Sequence, residues 1–280
     1  MPIFVAHDSA DVWAHPDLFQ LDAEGAPTVS AGVPPDYFSK TGQLWGNPHY
    51  RWDRLKERGY DWWIARLRMA AERFDAVLLD HFIGFQRYWE ILAGSTTAVD
   101  GRWMPGPGAD FFAVVRSTLA ELELIAEDLG SVTPEVMALR DQFDLPGMRV
   151  LQFAFGCDQQ AESFLPHNYP RRTAAYTGTH DNDTVVGWYR QSSTQDERHR
   201  ARVYLKCDGS RIHLDMIEAI LNSTADTAIF PAQDLLGLDS RARMNTPGTV
   251  ERNWQWRLLP GQLDETQAKR LAEMTANGAR

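Results

Sequence analysis

The stretch AVLLDHFIGF, residues 76–85, runs apolar through Leu79 and then stops at Asp80-His81, a carboxylate beside an imidazole. Buried strands rarely end on a charge unless that charge has a partner or a task. A short apolar run with such a stop reads as a strand of a parallel sheet, buried on both faces. Four more runs of this kind follow, at 122–128, 148–155, 174–179 and 228–232. Helical stretches separate them. In DWWIARLRMAAERF, residues 61–74, Ile64, Leu67, Ala71 and Phe74 recur at helical spacing and form one apolar stripe. Further helices are expected over about 109–121, after the N-cap and first-turn pair Thr133-Pro134, over 184–206 and 211–221, and last over 265–275. Between the first two runs lies a loop rich in Gly, Pro and Trp. Strand–helix alternation of this sort predicts an α/β fold with a parallel sheet covered by helices.

At 280 residues the chain is long enough to bury a sizeable core. A net charge of −10 argues against a nucleic-acid or anionic-membrane partner, since both need a basic surface. No stretch approaches the ~18 apolar residues of a membrane span, and the start MPIFVAHDSADVW has no basic leader region. Two cysteines, Cys157 and Cys207, imply no disulfide framework and no zinc spacing, so a cytoplasmic location is expected. The ten Trp, thirteen Phe and eight Tyr are more informative, because many sit in irregular stretches such as PPDYFSKTGQLWGNP and GTVERNWQWR. Core packing accounts for most aromatics, but rings carried on loops are also how proteins hold the apolar faces of sugars or nucleobases.

In a parallel α/β fold, whether barrel or open sheet, the C-terminal strand ends build the active site. Asp80 closes the first run, Glu127-Asp128 the second and His180-Asp181 the fourth. Two carboxylates about 5–5.5 Å apart suit a retaining glycosidase, in which one attacks the anomeric carbon and the other protonates the leaving oxygen. A third can hold the distorted sugar, and histidines can bind its hydroxyls. Strand-end acids also cap helices or pair with arginines, and Asp with His suits a divalent metal, although no HxH or HExxH spacing accompanies them. The stretch GVPPDYFSKTGQLWGNP, within a loop of about 31–50, carries Tyr37, Phe38 and Trp45 on a backbone set by Gly and Pro. A lid that stacks on a ligand and excludes water fits it, as does a purely structural loop.

Six segments then carry a specific likeness: AGVPPDYFSKTGQLWGNPHYRW, LLDHFIGFQRYWE, IAEDLGSVTPEV, LPGMRVLQFAFG, HNYPRRTAAYTGTHDNDT and ARMNTPGT. They resemble the amylomaltase family of 4-α-glucanotransferases, the disproportionating enzymes of glycoside hydrolase family 77, from Pro2 to about Leu258. The resemblance implies the C-terminal five-strand portion of a (β/α)8 TIM barrel with loop insertions, one catalytic-barrel portion over residues 1–280. It implies transfer of α-1,4-glucan segments between maltodextrins with retention at the anomeric centre, and no cofactor or metal. By the same resemblance Asp80 is the nucleophile, Glu127 the general acid/base and Asp181 the transition-state stabiliser. His81 and His180 match sugar-binding histidines, Tyr37 and Phe38 the aromatic loop over the donor sites with Trp45 beside them, and Asn245 a cleft residue.

Two departures from the family pattern matter. The family places an arginine two residues before the nucleophile, where this chain has Leu78. Residues i and i−2 of a strand share a face, so a cation there would sit beside the carboxylate and hold its pKa down by roughly 1–3 units. The resemblance also implies that the first three barrel strands and a substrate-binding aspartate precede PIFVA in the family. A five-strand portion exposes sheet edges, so a complementing N-terminal segment or self-association is expected. A catalytically silent remnant that at most binds α-glucan is the alternative reading.

Overall fold

The computed structural model describes residues 1–35, 40–158, 160–249 and 251–278. Its contacts divide into two compact units, Met1–Gly147 and Met148–Arg280. In the first unit the strands are β1 (Val29–Val33), β2 (Gln43–Leu44), β3 (Ala76–Leu79), β4 (Arg87–Leu92), β5 (Gly101–Pro105) and β6 (Glu123–Ala126). The second holds β7 (Gly147–Val150, starting at the boundary), β8 (Thr173–Tyr176) and β9 (Thr227–Ile229). The fold is α/β with mixed sheets.

All five expected apolar runs contain a strand, namely β3, β6, β7, β8 and β9. β3 pairs in parallel with β6, Leu79 opposite Ala126, and Pro2 bridges Asp80 on the other side, also in parallel. β8 pairs in parallel with β9, and β7 lies on the far side of β8. The runs are shorter than expected. β7 ends at Val150 and Leu151–Phe155 coils into a 3-10 helix, while the last run ends at Ile229 and gives way to the helix Ala232–Leu235.

The expectation of parallel strands alone needs correction. β2, β1, β4 and β5 form a four-stranded antiparallel sheet, with Ala31 opposite Glu90 and Trp89 opposite Trp103. The Gly/Pro/Trp-rich loop therefore contains a hairpin, and part of the expected lid at 31–50 is strand. The alternation in β4 is disguised because one of its inward residues is charged: Glu90 is 4% exposed and accepts from Arg102 Nε at 2.7 Å. A carboxylate that deep needs its guanidinium, and the pair permits a strand that hydropathy hides.

Helix Asp61–Ala71 buries Ile64 and Leu67 of the expected stripe, with Trp62 and Trp63 beside them, but Ala71 is exposed and the helix stops before Phe74, which is 62% exposed. Around it the core of the first unit is aromatic: Trp63, Phe85 and Phe111 are fully buried, the last two stacked at 5.1 Å. In the second unit the helix Ile212–Leu221 packs Leu214, Ile217 and Leu221 against Leu235 and Met274. The single helix expected over 184–206 is broken. Val185–Gly187 and the wider coil Trp188–Ser192 end first, and Gln195–Leu205 then restarts from a capping box between Thr194 and Glu197. Those two residues satisfy N–H groups that a continuous helix would bond internally. No helix among the described residues is long and apolar enough to cross a membrane.

Candidate active site

β3 and β6 run side by side and their register ends at Leu79 opposite Ala126, so Asp80 and Glu127 are the residues that directly follow a matched pair at the two strand ends. Adjacent strands lie about 4.8 Å apart, near the separation that two carboxyls need for retention. Hydrogen bonds hold the two strand ends together. Glu127 N–H donates to the Leu79 carbonyl at 3.0 Å, and Phe82 N–H donates to the Glu127 carbonyl at 3.1 Å. The Glu127 carboxylate, through Oε2, accepts from His81 N–H at 2.8 Å, which brings it over the peptide that follows Asp80. His81 reaches this position with φ +58°, a left-handed turn uncommon outside glycine. Gly84 lies beneath it, where a Cβ would meet Ile3 Cδ1 at 2.8 Å and His81 Cδ2 at 3.0 Å. Asp80 itself is exposed, and Leu78, two residues earlier, is half-buried on the same face.

Aromatic rings wall this strand end. Trp45 stands edge-on to His81 at 4.8 Å, and Phe4 contacts Trp45, His81 and His49. His49, a residue the sequence did not single out, is wholly buried, with Nε2 3.1 Å from the Trp89 carbonyl. Among the described residues His81 Nε2 is a buried ring nitrogen with no hydrogen-bond partner. Burial lowers the pKa of His49 to about 4; burial, and secondarily the charge of His49, lowers that of His81 to about 4. Both rings are therefore neutral at pH 7.

The consequence for stability has a definite sign. An unfolded chain takes up protons on these histidines near pH 6.5, whereas the folded one resists until about pH 4. Their contribution is present above pH 6.5 and is lost as pH falls toward 4. For fully buried His49 the shift corresponds to roughly 3 kcal/mol. Asp234, pushed up to about 6 by burial, acts oppositely, stabilising the fold as pH drops through 6. The expected net result is a falling melting temperature from pH 7 to 4.5 in calorimetry, with a shallower slope in His49→Gln; a flat profile would mean that the histidines are not held neutral.

In the second unit β8 ends at Tyr176, and His180 and Asp181, expected to close the strand, stand in the loop that follows it. Asn245 Nδ2 donates to Asp181 Oδ1 at 2.6 Å, and His180 Nε2 lies 3.5 Å from Asp181 Oδ2. Arg243, also missed in the sequence, donates through Nη2 to the Asp181 carbonyl at 2.7 Å and through Nε to the Asn245 carbonyl at 2.8 Å. The turn below is tied down by buried acids. Asp183 accepts from Ser192 and Ser240, and Asp234 from Thr177 Oγ1 and Val185 N–H. Asp80, His81, Glu127 and Trp45 are thus gathered in the first unit, and His180, Asp181 and Asn245 in the second. Tyr37 and Phe38 lie outside the described residues. Among the described residues no group of three His, Cys, Asp or Glu is placed to hold a metal ion.

Comparison with known proteins bears on this arrangement. The profile of glycoside hydrolase family 77, 4-alpha-glucanotransferase, matches residues 1–263. The chain is 53% identical to a 4-alpha-glucanotransferase of Thermus thermophilus over 98% of its own length and 56% of that relative. It is 50% identical to one from Synechocystis, again over 98% of the chain but 55% of the relative. The solved structure of an amylomaltase from Streptococcus agalactiae in complex with acarbose superposes with a TM-score of 0.95 at 40% identity, over the whole chain and 57% of that structure. The chain spans about half the length of the curated relatives it matches. With the profile covering nearly all of it, this chain belongs to glycoside hydrolase family 77, the family of 4-α-glucanotransferases.

Proposed function

We propose that the chain is the catalytic part of a 4-α-glucanotransferase that moves α-1,4-glucan segments between maltodextrins by double displacement. Asp80 attacks the anomeric carbon while Glu127 gives its proton to the departing O4, leaving a glucosyl ester on Asp80. The 4-hydroxyl of an acceptor sugar then attacks that carbon, Glu127 takes its proton, and Asp80 leaves. Two inversions give retention. Asp181 steadies the positive charge that develops on the sugar ring. The observation that carries this reading is that Asp80 and Glu127 follow the paired ends of β3 and β6, with the Glu127 carboxylate turned toward the Asp80–His81 peptide.

Further features support it. Trp45, edge-on to His81, suits the apolar face of a sugar ring. Water exclusion there favours an acceptor sugar over hydrolysis. The Streptococcus agalactiae relative was solved in complex with acarbose, which supports a maltodextrin ligand here. We read the parallel strands as the C-terminal five of a (β/α)8 barrel, a reading supported by the paired registers and by that superposition. The free thiols Cys157 and Cys207 suit a reducing compartment such as the cytoplasm.

Leu78 favours a second reading, a silent glucan-binding remnant. An aliphatic side chain on the face of Asp80 offers no cation to steady the nucleophile. Maltotriose decides between them, with the purified chain assayed alone and mixed with the unmatched portion of the Thermus thermophilus relative. Glucose plus longer maltodextrins means transfer; glucose and maltose alone means hydrolysis; unchanged sugar in both mixtures supports the remnant. In the remnant case Leu78→Arg is expected to restore roughly 10-fold or more of activity. No gain would remove the electrostatic explanation.

A further inference from the structure

Trp254 is 54% exposed, an expensive position for an indole, and its backbone has φ +61°. Bulky residues occupy that region only where their surroundings impose it, and such outliers cluster at ligand clamps. Here the surroundings do impose it. Trp254 N–H donates to the Met244 carbonyl at 2.7 Å, and Asn253 closes the loop by accepting from Thr246 N–H at 2.9 Å and donating to the Thr249 carbonyl at 2.8 Å. The same loop is anchored to the one that follows β8 by Asn245 N–H on the His180 carbonyl at 3.1 Å and by Arg243 on the Asp181 carbonyl. The indole lies 5.1 Å from the His180 ring, tilted at 42°. Together they border a cavity of about 210 Å³ whose walls include Thr179, Asn182, Gln233 and Arg243.

We infer that Trp254 is a sugar-stacking platform, holding one pyranose ring of an α-glucan against His180 beside Asp181. A pyranose presents one apolar C–H face and a rim of hydroxyls. A displayed aromatic plane suits the face, and the amide, hydroxyl and guanidinium walls suit the rim. The cavity has the scale of a single ring rather than a chain. The strained, doubly tethered backbone keeps the indole out of the core and in contact with solvent, an arrangement that packing alone does not require. This subsite deepens the glucanotransferase reading and rests on it for the identity of the sugar.

The test is calorimetric titration of the chain with maltoheptaose, for wild type, Trp254→Ala, Trp254→Phe and, as control, Trp13→Ala, whose ring is 85% exposed in the first unit. Trp254→Ala is expected to weaken binding about tenfold, Trp254→Phe to stay within about threefold of wild type, and Trp13→Ala to change nothing. In the maltotriose assay the loss should fall on KM rather than kcat. Trp254→Ala binding as tightly as wild type, or Trp13→Ala losing as much, overturns the platform. Wild type that binds maltoheptaose but never transfers glucose sinks the transferase reading and leaves the platform standing. Wild type that does not bind the sugar ends both.

Discussion

Asp80→Asn is expected to lower glucan transfer by at least about 10³-fold while the protein folds as before. The substitution is nearly isosteric and Asp80 is exposed, so the melting temperature should move little. The carboxamide cannot form the glycosyl ester, and Glu127 serves as acid and base rather than nucleophile in the proposed scheme. Release of glucose from maltotriose measures the rate, and trapping the ester with a slow substrate followed by mass spectrometry locates the bond. An Asp80→Asn protein that keeps a tenth of its activity, or an ester found elsewhere, would remove Asp80 from the role.

Glu127→Gln is expected to separate two steps. The Gln Oε1 can still accept from His81 N–H, the bond that Glu127 makes at 2.8 Å, so the geometry over the Asp80–His81 peptide survives. What is lost is the proton, which general acid–base catalysis values at roughly 10²–10⁴-fold. Maltotriose turnover should fall by that amount. A maltosyl fluoride, whose leaving group needs no protonation, should still release fluoride in a rapid first turnover and then stall for want of a base. Asp80→Asn should give no such burst. If Glu127→Gln slows both donors equally, the residue positions His81 rather than moving a proton.

How far the sequence disclosed this arrangement depended on what each segment buries. Parallel strands are commonly apolar on both faces, so β3, β6, β7, β8 and β9 stood out with the acids that follow them, although only β7 and β8 are buried along most of their length while β3 and β6 are half-buried and β9 is exposed at its ends. The antiparallel sheet did not, because β4 places Glu90 inward against Arg102 and β1 carries glycine and serine. The break at Ser193-Thr194 was legible in principle, since Thr194 and Glu197 have capping-box spacing inside an otherwise helical stretch. His49 was not legible: nothing in HYRW tells a buried ring from a surface one, and its burial arises from Phe4, Tyr88 and the Trp89 carbonyl, distant in sequence. Trp254 was visible only as one aromatic among many on irregular backbone. Its left-handed conformation and its tether to Met244 come from the folded loop.

The pairing of Leu79 with Ala126 has a practical corollary for anyone recombining or redesigning this protein. Inserting or deleting one residue within 76–79 or 123–126 would slide one acid about 3.3 Å along its neighbour and turn it to the opposite side of the sheet. Length changes beyond the strands, in the hairpin or the loops, leave that pairing untouched. Libraries that vary loop length away from the site residues should therefore keep Asp80 and Glu127 in register, and those that vary strand length should lose it in a single step.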